Sequence, residues 1–399
     1  MGGRRALGPT ADLRVLVDAT ALPANRAGVA RYVDELVAAL PGQGARLAVV
    51  AQPRDEVHYR GLVGANQVHV IPRWAAAPAA RLGWEQTGLP ALIRRLRPDV
   101  LLSPHYTLPL AAALPRLGVP VVVTVHDATF FSDPAVHTPV KRRFFTAWTR
   151  TCARLADALV VPSRATRDEV IRYAAADPAR VHVVPHGVDH DRFQPPGPEQ
   201  VTRLRTALGL EPDAAYLAFL GTLEPRKNVP ALVEAFVTVC AGRPDPPVLV
   251  LAGGRGWDER VDAAVAAVPA PLRVIRPGFV DDELVPALLG GAELVVYPSR
   301  GEGFGLPVLE AMACGAAVLT TPLLSLPEVG GEAVEYAASP APADVADALR
   351  RLLDEPDRRA QLRRLAPERA AGFTWEAAAA GHLAVLRAVC GADEDRGNR

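Results

Sequence analysis

The sequence has almost no lysine. Its 399 residues carry 44 basic side chains, yet only Lys141 and Lys227 are lysines and the rest are arginines. A bias so strong points to a GC-rich coding sequence, against which a retained lysine stands out, Lys227 above all. Acidic and basic residues balance at 44 each, so bulk charge suggests no polyanion and no nucleic-acid partner. Cysteine is scarce too. Cys152, Cys240, Cys314 and Cys390 stand far apart, without disulfide or metal spacing, which fits a reducing cytoplasm. No apolar run approaches the length of a membrane span, and no signal-peptide core opens the chain. Ala6 stands where a myristoylation signal wants Ser or Thr. The expectation is a cytoplasmic protein, with peripheral contact at the inner face of a membrane left open.

What is present is apolar and periodic. Hydrophobic residues make up 49%, enough for two cores, and the length divides naturally into two domains of roughly 180 residues each. Short apolar runs alternate with helical patterns, which argues α/β with parallel sheets covered on both faces. In the second half the expected strands include Tyr216–Leu220, Val248–Ala252, Leu272–Ile275, Leu294–Tyr297 and Val318–Thr320. Expected helices include Leu89–Leu96 in the first half and Val229–Val239 and Asp282–Leu289 in the second. A Pro- and Gly-rich stretch from His186 to Pro198 puts the domain boundary near residue 190. Ala156–Arg164 echoes Gly291–Arg300, each a strand entering a Pro-Ser turn, and this reads as a weak internal repeat. The basic, aromatic stretch Lys141–Trp148 reads as a core-packing helix with a basic outer face, ahead of a membrane-surface patch.

The stretch Tyr297–Met312 organises the rest. A buried strand runs into Gly301-Glu302-Gly303-Phe304-Gly305, and Leu306-Pro307 opens a helix that stops near Gly315. Backbone N–H groups at such a corner suit a phosphate. A dinucleotide turn is disfavoured, because G-x-G-x-x-G fails when counted from Gly301 or from Gly303. Glu302 and Glu310 do not suit a bare phosphate cradle. They suit a ligand carrying both a diphosphate and hydroxyls, Glu302 accepting from a hexose and Glu310 from a ribose. Gly221-Thr222-Leu223-Glu224-Pro225-Arg226-Lys227-Asn228 follows another strand and places two cations where a departing diphosphate gathers charge.

These two stretches resemble the retaining family 4 glycosyltransferases, whose E-x7-E signature Glu302 and Glu310 match inside E-G-F-G-L-P-V-L-E-A-M-A-C-G. The resemblance runs from Leu13 to Val389 and is closest to the bacterial mannosyltransferase-like branch of polysaccharide assembly. It implies the GT-B fold, two Rossmann-like domains facing across a cleft: 1–190 on the acceptor side, 191–374 for the nucleotide sugar, and 375–399 as a helix crossing back to the first domain, with a frayed tail. It implies transfer of a hexose from a nucleoside-diphosphate sugar, GDP-mannose first, to a saccharide, lipid-linked or natural-product acceptor.

The residues it marks as catalytic are Arg226, Lys227, Glu302 and His126, the last reaching the donor sugar. Gly221, Thr222, Gly303, Phe304, Gly305, Leu306 and Glu310 would bind the donor. Gly278, Phe279 and Val280 would hold the nucleobase by their backbone. Gly28 would sit in a diphosphate- or acceptor-contacting loop, and Asp127 and His105 beside the site. Asp127 is also readable as a cap, or as the group that fixes the His126 tautomer. No metal or other cofactor is expected, since Asp189-His190-Asp191 reads as a linker turn and not as a metal-holding D-x-D pair. A sugar-nucleotide epimerase of the same fold would turn over donor without acceptor. A noncatalytic sugar-nucleotide-binding subunit would not hydrolyse donor at all.

Overall fold

A computed structural model describes residues 12–23, 26, 28–113 and 118–397, the side chains of 112–113 and 392–397 excepted. The chain divides into two compact units. One is Met1–Pro134 with Thr138–Gly187 and Trp375–Arg399; the other is Val188–Thr374 with Ala135–His137.

The first unit is built on β1 (Leu13–Asp18), β2 (Ala45–Ala51), β3 (Val68–Val70), β4 (Val100–Ser103), β5 (Val121–Thr124), β6 (Ala158–Val161) and β7 (Val181–Val183). They form one sheet in the order β3-β2-β1-β4-β5-β6-β7, every pair parallel. Successive side chains of a strand point to opposite faces, and β1 obeys this. Leu13, Val15 and Val17 join the core that includes the helices Val29–Ala39 and Trp375–Gly397. Leu16 joins the other core, with the helices Pro78–Leu96 and Pro139–Leu155. Both faces being covered, β4, β5 and β6 are buried at every position, which is why they read as continuous apolar runs. Each such aliphatic side chain contributes about 1.5–3 kcal/mol on burial.

The second unit repeats the plan with β8 (Tyr216–Leu220), β9 (Val248–Ala252), β10 (Val274–Gly278), β11 (Leu294–Tyr297), β12 (Val318–Thr320) and β13 (Glu335–Tyr336). Their order is β10-β9-β8-β11-β12-β13, again all parallel, around a single apolar core. In each sheet the chain winds outward over three strands and then returns to the far side of the first. The order therefore reverses between β1 and β4, and between β8 and β11. Ligands of open α/β sheets bind outside the carboxyl ends of the strands at such a switch point.

The topology corrects several expectations. The strand expected at Leu272–Ile275 is β10, displaced to Val274–Gly278, with Pro277 inside it. The helix expected from Asp282 starts only at Val285, since Asp281–Leu284 form a turn and Pro286 takes an early helical position. The helix expected at Leu89–Leu96 begins at Pro78. Its glycines and Pro90 hide it in the sequence, but Gly88 lies against the Trp84 ring, where a side chain would collide. The frayed tail expected over 391–399 is helical as far as Gly397. The internal echo does not mark equivalent places either. Ala156–Arg164 leads out of β6 and Gly291–Arg300 out of β11, and by sheet position β11 corresponds to β4. On Pro139–Leu155 the basic residues Lys141, Arg142 and Arg143 are exposed, while Thr149, Cys152 and Ala153 are buried. Among the described residues no helix is long and apolar enough to cross a membrane.

Candidate active site

The carboxyl ends of β8 and β11 carry a buried ionic cluster. Pro225–Lys227 form a short 3-10 turn that ends at Asn228, a left-handed residue (φ 58°). The Asn228 amide donates to the Pro340 carbonyl at 2.7 Å, so the turn is held in place. Both cations reach across to the loop after β11. Lys227 Nζ donates to Glu302 Oε1 at 2.7 Å and also contacts the Tyr297 hydroxyl. Arg226 pairs with Glu302 Oε2, donates to the Gly301 carbonyl at 2.9 Å, and bonds Glu224 at 2.8 Å. Ser299 Oγ donates to Glu302 Oε1 at 2.7 Å. The two loops are also joined by their backbones, Arg300 N–H donating to the Arg226 carbonyl at 2.8 Å.

Lys227 and Glu302 are 8% and 6% exposed, so their charges interact in a weakly screening medium. Burial alone would push the Glu302 carboxyl up. Arg226 and Lys227, with the hydrogen bonds from Lys227 and Ser299, overcome it and hold the group at about 2. Burial and the neighbouring Arg226 lower Lys227, against the pull of Glu302. Burial and Glu302 push the Tyr297 phenol well up. The cluster sets Arg226 and Lys227 around the Glu302 carboxylate, with Glu224 partnering Arg226 from its other side.

Gly303, Phe304, Gly305 and Leu306 follow at once. Gly305 caps the helix Leu306–Ala313 at φ 105°, a backbone only glycine adopts readily, and a side chain there would sit 2.9 Å from Leu326. Ser325 Oγ holds the loop from behind, bonding the Glu302 and Phe304 carbonyls at 2.8 Å each. Glu310 lies on the same helix and is 3% exposed. Gly221 accompanies the cluster at the end of β8, its N–H bonded to the Ala252 carbonyl, and Thr222 follows it. Gly278 closes β10 beside Gly253, N to O 2.7 Å. Phe279 is largely exposed, its ring over Gly254, and Val280 packs against the core.

In the first unit the switch point carries aromatic rings and imidazoles, with the buried side chains of Asp18 and the Arg81–Glu85 pair nearby. The Tyr32 hydroxyl meets Thr124 Oγ1 at 2.9 Å and His382 Nε2 at 2.7 Å. His126 stands edge-on to the Tyr32 ring at 4.8 Å, and the His186 ring is 4.6 Å from it. His126 Nε2 donates to the Pro104 carbonyl at 2.8 Å; because a carbonyl only accepts, Nδ1 of the neutral ring is left as an acceptor. Burial pushes His126 and His382 down to about 4 and, with His126 and Arg81 nearby, His105 to about 3. His186 lies well below its ordinary value for the same reason. Asp127 does not touch His126 through its carboxylate. Its Oδ1 accepts from the Thr129 N–H at 3.1 Å and hydroxyl at 2.8 Å, so it fixes the turn that follows. Gly28, at φ 53°, opens the helix Val29–Ala39, its carbonyl accepting from Tyr32 N–H at 3.0 Å; residues 24, 25 and 27 lie outside the described ones.

The structure thus gathers Arg226, Lys227 and Glu302 into one cluster, with Gly221 and Gly303–Leu306 at its edge. It gathers His105, His126 and Asp127 into another group in the first unit. Sequence reasoning gave no role to Ser299, Tyr297, Ser325 or Glu224. The first two stand within five residues of Glu302, which is the signal that could have found them. It also missed Arg26, whose guanidinium donates to Asp34 at 2.9 Å and Asp55 at 2.8 Å. Asp189 Oδ1 accepts from the N–H groups of Asp191 at 3.0 Å and Arg192 at 3.1 Å.

Two parallel sheets, each with a switch point in its strand order, define a two-unit α/β protein. The comparisons give its family. Residues 26–192 match the family described as Glycosyltransferase Family 4, and residues 200–369 match Glycosyl transferases group 1. The chain is 33% identical to O-antigen chain mannosyltransferase B of Escherichia coli over 267 residues, 66% of this chain and 69% of that one. It is 35% identical to D-inositol 3-phosphate glycosyltransferase 2 of Catenulispora acidiphila over 237 residues, 56% of this chain and 54% of that one. The alignments thus span between about half and two thirds of these relatives. Among solved structures, Anabaena HepE in complex with UDP and glucose superposes with a TM-score of 0.71 at 17% identity, covering 96% of this chain and all of that one, a likeness of fold. The chain belongs to the family 4 glycosyltransferases, and its fold is GT-B.

Proposed function

We propose that the protein transfers a hexose from a nucleoside-diphosphate sugar to an acceptor hydroxyl with retention of the α configuration, and that GDP-mannose is its first donor. The observation that carries the reading is the Arg226–Lys227–Glu302 cluster at the β8–β11 switch point. As the glycosidic bond breaks, charge gathers on the departing diphosphate, and fixed buried cations favour that state over the ground state. Lys227 and Arg226 are already oriented by Glu302, Tyr297 and Glu224, so little reorganisation accompanies the reaction. Glu302 then serves the sugar and also fixes the cations. Glu310 takes the ribose, the turn at Gly278–Val280 the base, and the helix start after Gly305 adds positive potential. Retention without a protein nucleophile is front-face departure and attack, the leaving diphosphate helping to take the acceptor proton. The acceptor is a saccharide, a lipid-linked or a natural-product hydroxyl.

The likeness to a mannosyltransferase favours GDP-mannose. The fold neighbour solved with UDP and glucose keeps UDP-glucose as the second candidate. The test is a panel of GDP-, UDP- and dTDP-sugars scored by thermal shift and by release of nucleoside diphosphate, in excess EDTA and with added magnesium. The expected result is GDP-mannose turnover that EDTA leaves intact, since the Asp189 carboxylate is engaged in its own turn. A shift with UDP and none with GDP would overturn the donor. Loss in EDTA restored by magnesium would overturn metal independence.

A further inference from the structure

The His105 and His126 turns are locked to each other through one residue that the reaction as described does not use. Tyr106 follows β4 with φ 53°, a left-handed backbone that a bulky side chain adopts only when its surroundings impose it. The constraints come from several elements. Tyr106 N–H donates to the Thr124 carbonyl of β5 at 3.1 Å, and its own carbonyl accepts from Cys152 Sγ at 3.0 Å. Thr107 next to it donates to buried Glu85 at 2.9 Å, and Glu85 is paired with Arg81 at 2.6 Å. The twist aims the ring back across the sheet edge. There the Tyr106 hydroxyl accepts from Asp127 N–H at 2.8 Å and donates to the Asp127 carbonyl at 3.2 Å. The return tie is the His126 Nε2 bond to the Pro104 carbonyl. The ring itself is wedged between Phe130 and Phe145, at 6.1 and 4.9 Å.

We propose that Tyr106 is a positioning residue of the transfer reaction, its hydroxyl holding the His126–Asp127 turn in register so that His126 meets the donor sugar. This rests on the reading of the protein as a sugar-nucleotide-dependent transferase. Two hydrogen bonds, one to each of the peptide groups that flank the Asp127 Cα, fix the position and twist of that residue, and the left-handed backbone of Tyr106 is what brings the hydroxyl there. A displacement of the order of an ångström at a reacting group is enough to cost large factors in rate. The role concerns orientation, so it belongs in kcat and not in nucleotide affinity.

The experiment is Y106F, which keeps the ring and its packing and removes only the hydroxyl, compared with H126A and the double variant. Donor turnover is followed as nucleoside diphosphate release from GDP-mannose or UDP-glucose, whichever the unsubstituted protein uses. The expected Y106F result is a kcat about tenfold lower, the scale of one or two lost hydrogen bonds, with the affinity for free GDP or UDP within twofold. The double variant should be no slower than H126A, because Tyr106 acts through that turn. In the unliganded protein the His126 Nε2–H resonance should shift in Y106F while the His382 signal stays. Normal kcat in Y106F, or effects that multiply in the double variant, would overturn the proposal. Absence of donor turnover by the unsubstituted protein would overturn the transferase reading, and this proposal with it.

Discussion

The two units share a sheet plan and differ in what they place at its switch point. After β8 and β11 stand two cations, two carboxylates and a phenol bonded within one network. After β1, β4 and β5 stand imidazoles and aromatic rings, kept neutral by burial. Topology makes a switch point in both. On the proposed reading, side chains suit one to a charged leaving group and the other to hydroxyls. The contrast also fixes how each site depends on its own surroundings. The ionic site is stable because its charges are mutually satisfied, so removing one member exposes the rest. The histidine site is stable because its members stay uncharged, so it fails when they are protonated.

The largest expected effect comes from cutting the ionic side of that comparison. Lys227→Ala should lower kcat by roughly a hundred- to a thousandfold, the range for one oriented donor on a developing charge. It should also destabilise the protein by about 3–5 kcal/mol, because Glu302 is left buried with half its compensation. Adding Glu302→Gln to Lys227→Ala should restore much of that stability and none of the activity. Urea unfolding by circular dichroism, alongside donor turnover, separates the two. A Lys227→Ala protein with unchanged stability would mean that the cluster is not the tightly coupled unit its geometry describes.

The next effect is acid sensitivity confined to one unit. A histidine whose folded value is lowered is neutral where the unfolded chain is charged. Between about pH 6.5 and the folded value the unfolded state binds more protons, so stability falls as pH falls through that window. For His126 and His382 the window runs down to about 4. Glu302 behaves differently. Held at about 2, it contributes stability in full above the ordinary carboxylate range and loses it progressively as pH falls from about 4.5 through about 2. At pH 5 the histidines should therefore weaken the first unit, each tenfold change in proton affinity being worth about 1.4 kcal/mol, while buried Glu85, raised to about 7, offsets part of that loss; the second unit should be little affected. Four of the five tryptophans, Trp74, Trp84, Trp148 and Trp375, lie in the first unit, so fluorescence reports mainly on it. Urea midpoints by fluorescence that do not move between pH 7.5 and pH 5 would break the comparison.

The same contrast explains what could be read in advance. The second unit's site was legible because its chemistry is local. Arg226 and Lys227 sit in one eight-residue turn, and Glu302 and Glu310 in one strand-loop-helix segment. The first unit's group is assembled from distant segments. His382 meets Tyr32 across 350 positions, and Tyr106 carries no motif that announces its left-handed backbone. Apolar runs marked most strands because the sheets are covered on both faces. β10 was misplaced because Pro277 and Gly278 read as a turn, whereas here they end a strand at the edge of its sheet. The pairing of Glu302 with both cations was not legible, since nothing in a one-dimensional motif says which charges touch.

The smallest effect should come from Glu310, and it sharpens the comparison by asking which unit holds the nucleotide. Glu310 is almost fully buried on the helix Leu306–Ala313, eight residues beyond Glu302. Glu310→Gln keeps the shape and removes the charge, so the cluster should stay intact and kcat should remain within twofold. On the proposed reading, what is lost is a charge-assisted acceptor for ribose hydroxyls, typically worth about 1.5–3 kcal/mol. Free nucleoside diphosphate should then bind about tenfold more weakly by calorimetry. His126→Ala, in the histidine site, should leave that affinity within twofold. If instead His126→Ala weakened nucleotide binding and Glu310→Gln did not, the division of labour between the two switch points would be the reverse of the one argued from their chemistry.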